Sequence, residues 1–333
     1  MEYIFLIIFF VFFNLLIFLN FEALQKKLVF VDKPDQKLKK HKNPVSLLGG
    51  LILLINFYLI IFILKIFNFN DLIFNTQFIY IIIFLSTLFY LVGFIDDLKN
   101  LTPNLKLLLI CLSFVFVTFL FPEIKLKYIR ISFLEKTYYF NNFSAIFLIL
   151  SFALLSNALN MFDGINLQLI CFSAFIFIIF ILNNYFPIFF ILILICLSFL
   201  GILNYKNKLF LGDGGCYLLS SIIGCTFIYQ YKYFENFLYG DQIFIILLIP
   251  SIDMLRLFIV RTIKKKNPFK GDFDHLHHIV NNYFKNNNYT VIFTILMCIF
   301  PSMMLFFDLK TYYILIISIV VYTSSIIYLK SKT

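Results

Sequence analysis

Four groups of polar residues interrupt a strongly apolar chain. Asp96 and Asp97 stand side by side in GFIDDLKN. Asn157, Asn160, Asp163, Gly164 and Asn166 lie in NALNMFDGIN, and Asp213 lies in FLGDGG. Asp272, His275, His277 and His278 lie in PFKGDFDHLHH. Asp96, Asp97, Asp163 and Asp213 are hard oxygen donors, and Asn160 adds an amide carbonyl. That set suits Mg²⁺, which takes few protein ligands and completes its shell with water and phosphate oxygens; Mn²⁺ is a substitute. Paired carboxylates at a membrane boundary repel each other, so a cation is expected to face them. Basic loops nearby would hold the rest of a phosphorylated substrate. The chemistry these residue types point to is phosphoryl transfer, in which a metal neutralises charge on the phosphates.

Each group has a plainer reading when taken alone. An Asp pair at the end of a span can be a solvated helix end. Asn157, Asn160 and Asp163 lie three apart and share a face if helical, while Asp-Gly is also a turn signal. Asp213 would serve as an N-cap if a helix opens there. The three histidines suit zinc poorly, because no cysteine accompanies them. They would otherwise be ordinary interfacial residues. The joint occurrence of the groups favours a site.

The elements that must position them are membrane helices. The chain has 333 residues, 62% hydrophobic and only 13% charged, against about 25% charged in soluble domains. Apolar runs of roughly 18 to 20 residues recur, each long enough to cross a bilayer. The expected architecture is an all-α polytopic membrane protein with about 11 transmembrane helices. The runs lie near 3–24, 46–66, 77–95, 105–121, 142–159, 165–183, 186–203, 214–230, 242–261, 289–307 and 311–329. The first is read as a retained span, since it has no basic leader or small-residue cleavage pattern. A single domain over 1–333 is expected, with active-site loops near 25–46, 96–106, 157–166, 204–213 and 262–288.

Lys and Arg concentrate in the odd-numbered loops, which puts those loops in the cytoplasm, the N-terminus outside and the C-terminus inside. All four polar groups fall in odd-numbered loops, hence on one face. Residues near 123–140 alternate around Lys125, Lys127 and Arg130, which predicts a small outer β-hairpin. The net charge of +10 is too thinly spread to mark a nucleic-acid partner. The six cysteines form no CxxC pair, so neither a disulfide framework nor a zinc ribbon is expected.

From about residue 30 to 280 these motifs resemble the polyprenyl-phosphate N-acetylhexosamine-1-phosphate transferase superfamily, glycosyltransferase family 4. The resemblance rests on VDKPDQKLKKH with Gly49 and Gly50, DDLKNLTPNLK, NALNMFDGIN, FLGDGG and PFKGDFDHLHH. It implies transfer of N-acetylhexosamine-1-phosphate from a UDP-sugar, by default UDP-GlcNAc, to undecaprenyl phosphate. UMP is released and cell-envelope polysaccharide synthesis begins. By the family pattern Asp213 holds Mg²⁺ with Asn160 beside it. Asp96, Asp97 and Asp163 take catalytic roles, with Asp96 or Asp97 positioning the lipid phosphate. Phe210 and Asn166 are candidates for the uracil. Asn157, Gly164, Lys40, His41, Lys106, Asp272, His275, His277 and His278 complete the substrate-binding set. Residence in a bacterial inner membrane among its lipids is implied, and a homodimer is compatible.

The chain departs from the family pattern at Ser46, Leu167 and Cys216, where Pro, Gly and Ser are usual, and at Phe273, where a basic residue is usual. Lys266 or Lys270 would substitute for that last charge. Within the class, the alternative is the phospho-N-acetylmuramoyl-pentapeptide transferase of peptidoglycan synthesis. That branch usually carries three consecutive His followed by Phe-Glu, whereas this chain has DHLHHIV. A prenyltransferase would need paired DxxxD motifs. A transporter would place its acids at mid-membrane. A degenerate, non-enzymatic homologue is the remaining alternative.

Overall fold

The computed structural model describes residues 2–28, 30–32, 44–67, 74–234, 238–267, 273–307 and 309–332. Lys40, His41 and Asp272 lie outside the described residues. The structure is mostly helical, with two small sheets. The helices are α1 (Glu2–Leu19), α2 (Phe21–Lys27), α3 (Gly49–Ile66), α4 (Thr76–Lys99), α5 (Pro103–Leu120), α6 (Ser144–Phe162) and α7 (Gln168–Leu182). They continue with α8 (Pro187–Tyr205), α9 (Gly212–Tyr233), α10 (Gly240–Ile246), α11 (Leu248–Ile263), α12 (Leu276–Phe284), α13 (Asn287–Met304) and α14 (Thr311–Lys332).

Each apolar run expected as a span is helical, but not every one is a span by length and composition. Among the described residues seven helices are long and apolar enough to cross a bilayer, or up to nine if two bent pairs each count once. Those pairs are α1 with α2, bent by 60°, and α10 with α11, bent by 78°. By length and composition the described residues thus give seven to nine candidate spans, against about eleven expected from the apolar runs. Helix α7 has 15 residues, about 22 Å of helix against a hydrocarbon layer of about 30 Å. Helix α9 has 22 residues but carries Ser220, Ser221, Thr226 and Gln230, all fully buried. It is a helix of mixed polarity, buried along nearly its whole length. The α10–α11 break has a local cause: Pro250, in the first turn of α11, has no N–H to offer the carbonyl of residue 246. The chain is a multi-pass membrane protein.

The chain divides into two compact units. The first comprises Met1–Leu101 and Ser173–Ile223. Its core is aromatic: Phe74 packs on Phe186 at 4.7 Å and on Phe189 at 5.6 Å, and Phe190 packs on Phe177 and Phe180. Ring pairs at these separations add to the area they bury. Asn14 donates to the Asn56 carbonyl oxygen at 2.9 Å, joining two apolar helices by a buried polar bond. Strands β1 (Val31–Asp32) and β2 (Val45–Ser46) pair antiparallel, and the Phe210 amide donates to the Ser46 carbonyl at 2.8 Å.

The second unit comprises Thr102–Phe172 and Gly224–Thr333. The expected hairpin is present: β3 (Tyr128–Ile131) pairs antiparallel with β4 (Lys136–Tyr139), Tyr128 opposite Tyr139. It is fastened by Asp241, which accepts from the Ser132 amide at 3.0 Å, the Ser132 hydroxyl and the Thr311 hydroxyl. Helices α5 and α6 pack through Phe114 and Phe152, at 4.6 Å. Helix α12 is short and lies on α13 and α14.

Candidate active site

In the first unit, α4 ends at Lys99, and Asn100 closes it in the left-handed conformation with φ 49°. Asp96 and Asp97 occupy the last turn. Neighbouring positions on a helix point about 100° apart, so the two carboxylates do not face each other. Asp96 is buried and accepts from the Leu101 amide at 2.7 Å. Asp97 turns to the start of α9, accepting from the Asp213 amide at 2.9 Å and the Gly214 amide at 3.1 Å. Those are two of the amides that a helix leaves without intrahelical partners, and the positive end of the helix dipole adds to the attraction. Asp97 thus caps α9, and Asp213 lies inside the helix rather than at its N-cap.

Glycines make this approach physically accessible. Gly212 has φ +70°, and a Cβ there would lie 2.5 Å from the Asp97 Oδ2. A Cβ on Gly93 would collide with the Asp213 carbonyl group. In this way GFIDD and LGDGG, more than a hundred residues apart, fold into one acidic corner. Phe210 lies at the entry to the same helix, and its carbonyl accepts from the Gly49 amide at 3.2 Å.

In the second unit, Asn157 and Asn160 sit in the last two turns of α6, and their spacing puts them on one face. Asp163 leaves the helix as its C-cap, so the shared face ends at Asn160. Asn166 follows in the loop. Leu167 then adopts φ 71°, a region an L side chain enters at a cost of about 1–2 kcal/mol. The position where the family pattern has glycine is thus one whose backbone favours glycine. Lys106 lies in the first turns of α5.

Gly164 touches the histidine segment: a Cβ there would overlap the His277 ring. His277 is buried, and that burial, with His278 and His275 adjacent, pushes its imidazole well below the usual histidine range against the opposing pull of Asp253. His275 is also buried, whereas His278 is partly exposed and packs edge-on against His277 at 4.3 Å and Phe273 at 5.2 Å. The structure therefore brings Gly164 to His277, and Asp97 to Asp213.

Beneath the histidines lies a group that motif reading missed. Asp253 of α11 accepts from Tyr322 at 2.6 Å, from Arg256 at 2.8 Å and from the Leu276 amide at 3.3 Å. Arg256 also donates to Tyr322 at 2.8 Å and to the Asp274 carbonyl at 2.6 Å. The available signal was an Asp-x-x-Arg spacing inside an otherwise apolar run, a pair that meets on one helix face.

Residues 79–231 match the model of glycosyl transferase family 4. That segment is similar to glycosyl transferase family 4. The matched segment holds Asp96, Asp97, Lys106, Asn157, Asn160, Asp163, Gly164, Asn166, Phe210 and Asp213; the histidine segment lies beyond it. No curated relative matches the chain. The family is that of polyprenyl-phosphate sugar-1-phosphate transferases.

Among the described residues, no three His, Cys, Asp or Glu side chains converge as a metal cluster. Mg²⁺ does not require one, since it is bound through one or two carboxylates with water and phosphate making up the rest. Asp213 is a carboxylate of the kind that could serve.

Proposed function

We propose that this protein transfers N-acetylhexosamine-1-phosphate from a UDP-sugar to undecaprenyl phosphate at the cytoplasmic face of a bacterial inner membrane, releasing UMP. The observation that carries the reading is the acidic corner formed by Asp97 on the first amides of α9, within the family 4 segment. By the family resemblance Asp213, with Asn160 as the second expected ligand, would hold Mg²⁺, which would neutralise charge on the diphosphate.

The chain's own residues do the rest. Asp97, fixed by two amides, and Asp96, fixed by one, are rigid carboxylates suited to positioning groups. Positioning outweighs deprotonation for the lipid phosphate, whose second pKa of about 6 leaves little proton to remove at neutral pH. Asn166 and Phe210 offer an amide and a ring to the uracil. Lys106 offers a cation to phosphate, and the histidine segment offers His278 to the sugar or diphosphate. DHLHHIV favours a plain hexosamine donor over the pentapeptide donor.

The test is UMP release by purified protein with undecaprenyl phosphate and Mg²⁺, across a panel of UDP-N-acetylhexosamines with UDP-N-acetylmuramoyl-pentapeptide alongside. Release that depends on lipid, metal and one hexosamine supports the reading. Release with the pentapeptide donor alone replaces it. Asp213→Asn is expected to abolish release while the protein still enters the membrane in normal amount; full activity in that variant removes the metal assignment.

A further inference from the structure

The three histidines are not equivalent. His275 sits between two charged groups of α11. Its Nε2 lies 3.3 Å from the Arg261 Nη2, and its Nδ1 lies 3.6 Å from the Asp253 Oδ2. A guanidinium nitrogen only donates, so the Nε2 must accept with a lone pair, and the ring proton belongs on Nδ1, towards Asp253. His275 is thereby committed to one tautomer and one orientation. His277 is committed to packing on Gly164. His278 is half-buried and packs on Phe273 and His277.

The backbone entering α12 is held from the same helix. Asp253 takes the Leu276 amide, at the first residue of α12, and Arg256, one turn further along α11, takes the Asp274 carbonyl. Tyr322 of α14 braces both side chains. Asp253 is 5% exposed, so a free substrate does not reach it. A buried carboxylate is retained at a cost unless fully partnered, and here each partner serves to fix the DHLHH segment.

We propose that Asp253 is a positioning residue: it sets the tautomer of His275 and the start of α12, and so the orientation of the histidine segment towards the nucleotide-sugar. This rests on the reading above, in which the histidine segment contacts the sugar or diphosphate. It predicts that Asp253 governs use of the nucleotide-sugar and not of the lipid.

The experiment uses the full chain in detergent, labelled with ¹⁵N-histidine, as wild type, Asp253→Asn and Tyr322→Phe, with a His275→Gln sample to assign the signal. In the wild type, His275 should show a protonated Nδ1 and a bare Nε2. In Asp253→Asn that signature should shift. With the donor identified above, kcat/KM for the UDP-sugar should fall about 10- to 100-fold, the scale seen when a group orienting a ligand-contacting histidine is removed, with KM for polyprenyl phosphate unchanged. Tyr322→Phe should move both readouts the same way by less, and decides the matter if Asp253→Asn does not fold. A proton on Nε2 of wild-type His275, or variants with unaltered His275 signals and unaltered kcat/KM, overturns the assignment. Absence of transfer by the wild type tells against the transferase reading alone, and the nitrogen signals still decide the role of Asp253.

Discussion

At Asp97 one carboxylate ties the end of α4 to the start of α9. Asp97→Asn keeps the volume but turns one of the two oxygens that accept helix amides into a donor. It is expected to lower transfer by about 100-fold or more, the size of a lost electrostatic or acid–base group, as measured by UMP release; a change confined to the KM for the UDP-sugar would show the group misplaced. Leu167 gives a second prediction. Leu167→Ile, equal in volume, is expected to lower stability by about 1 kcal/mol or more, because β-branching at positive φ is strongly disfavoured. Leu167→Gly should be near neutral, the relieved strain offsetting the lost side chain. Thermal melts in detergent check both. At this scale Asp96, Asp97, Asp163 and Asp213 were legible because charge is conspicuous in an apolar chain. Asp253 was not, because it lies in a run read as the interior of a span, and its partners Tyr322 and Leu276 are brought to it only by the fold.

Among the elements, α12 is the one most open to pH. His277 has its pKa lowered in the folded protein, while the unfolded chain keeps the ordinary value near 6.5. Above about 6.5 both states are neutral at this group and its stability contribution is intact. Below that value the unfolded state takes up a proton that the folded state resists, so stability falls as pH falls. Melting temperatures between pH 7.5 and 5.5 should therefore drop, and the drop should be smaller in His277→Asn; equal drops would count against the burial argument. Helix positions were legible from apolar runs, and the hairpin from alternation. Span status was not legible for α7 and α9. A run can be apolar yet too short, as in α7. The small and hydroxyl residues of α9 become interpretable only once their burial is known, as with Ser221, which donates to Ser86 at 2.9 Å. Helix α12 was passed over because its few apolar residues cover only a short loop-borne turn.

For the whole molecule, the sequence makes one statement that the fold bears out in coarse form, multiple apolar helices, and residues 79–231 match the family 4 model. The chain should stay with the membrane pellet after an alkaline carbonate wash and leave it only in detergent; release by carbonate would contradict the reading of these helices as spans. The division into two compact units was not legible. No linker, repeat or change of composition marks it, because each unit is assembled from chain segments distant in sequence, and contacts of that kind leave no local trace.

The Asp97 cap has a further consequence, for measurement. The Asp213 and Gly214 amides are shielded from exchange with deuterated solvent as long as that carboxylate stays on them. A cation or phosphate that draws Asp97 away would unlatch both amides; one that tightens the corner would slow their exchange. Isotope uptake at two backbone positions thus reports occupancy of the acidic corner in protein that is not turning over, and does so for any ligand, labelled or not.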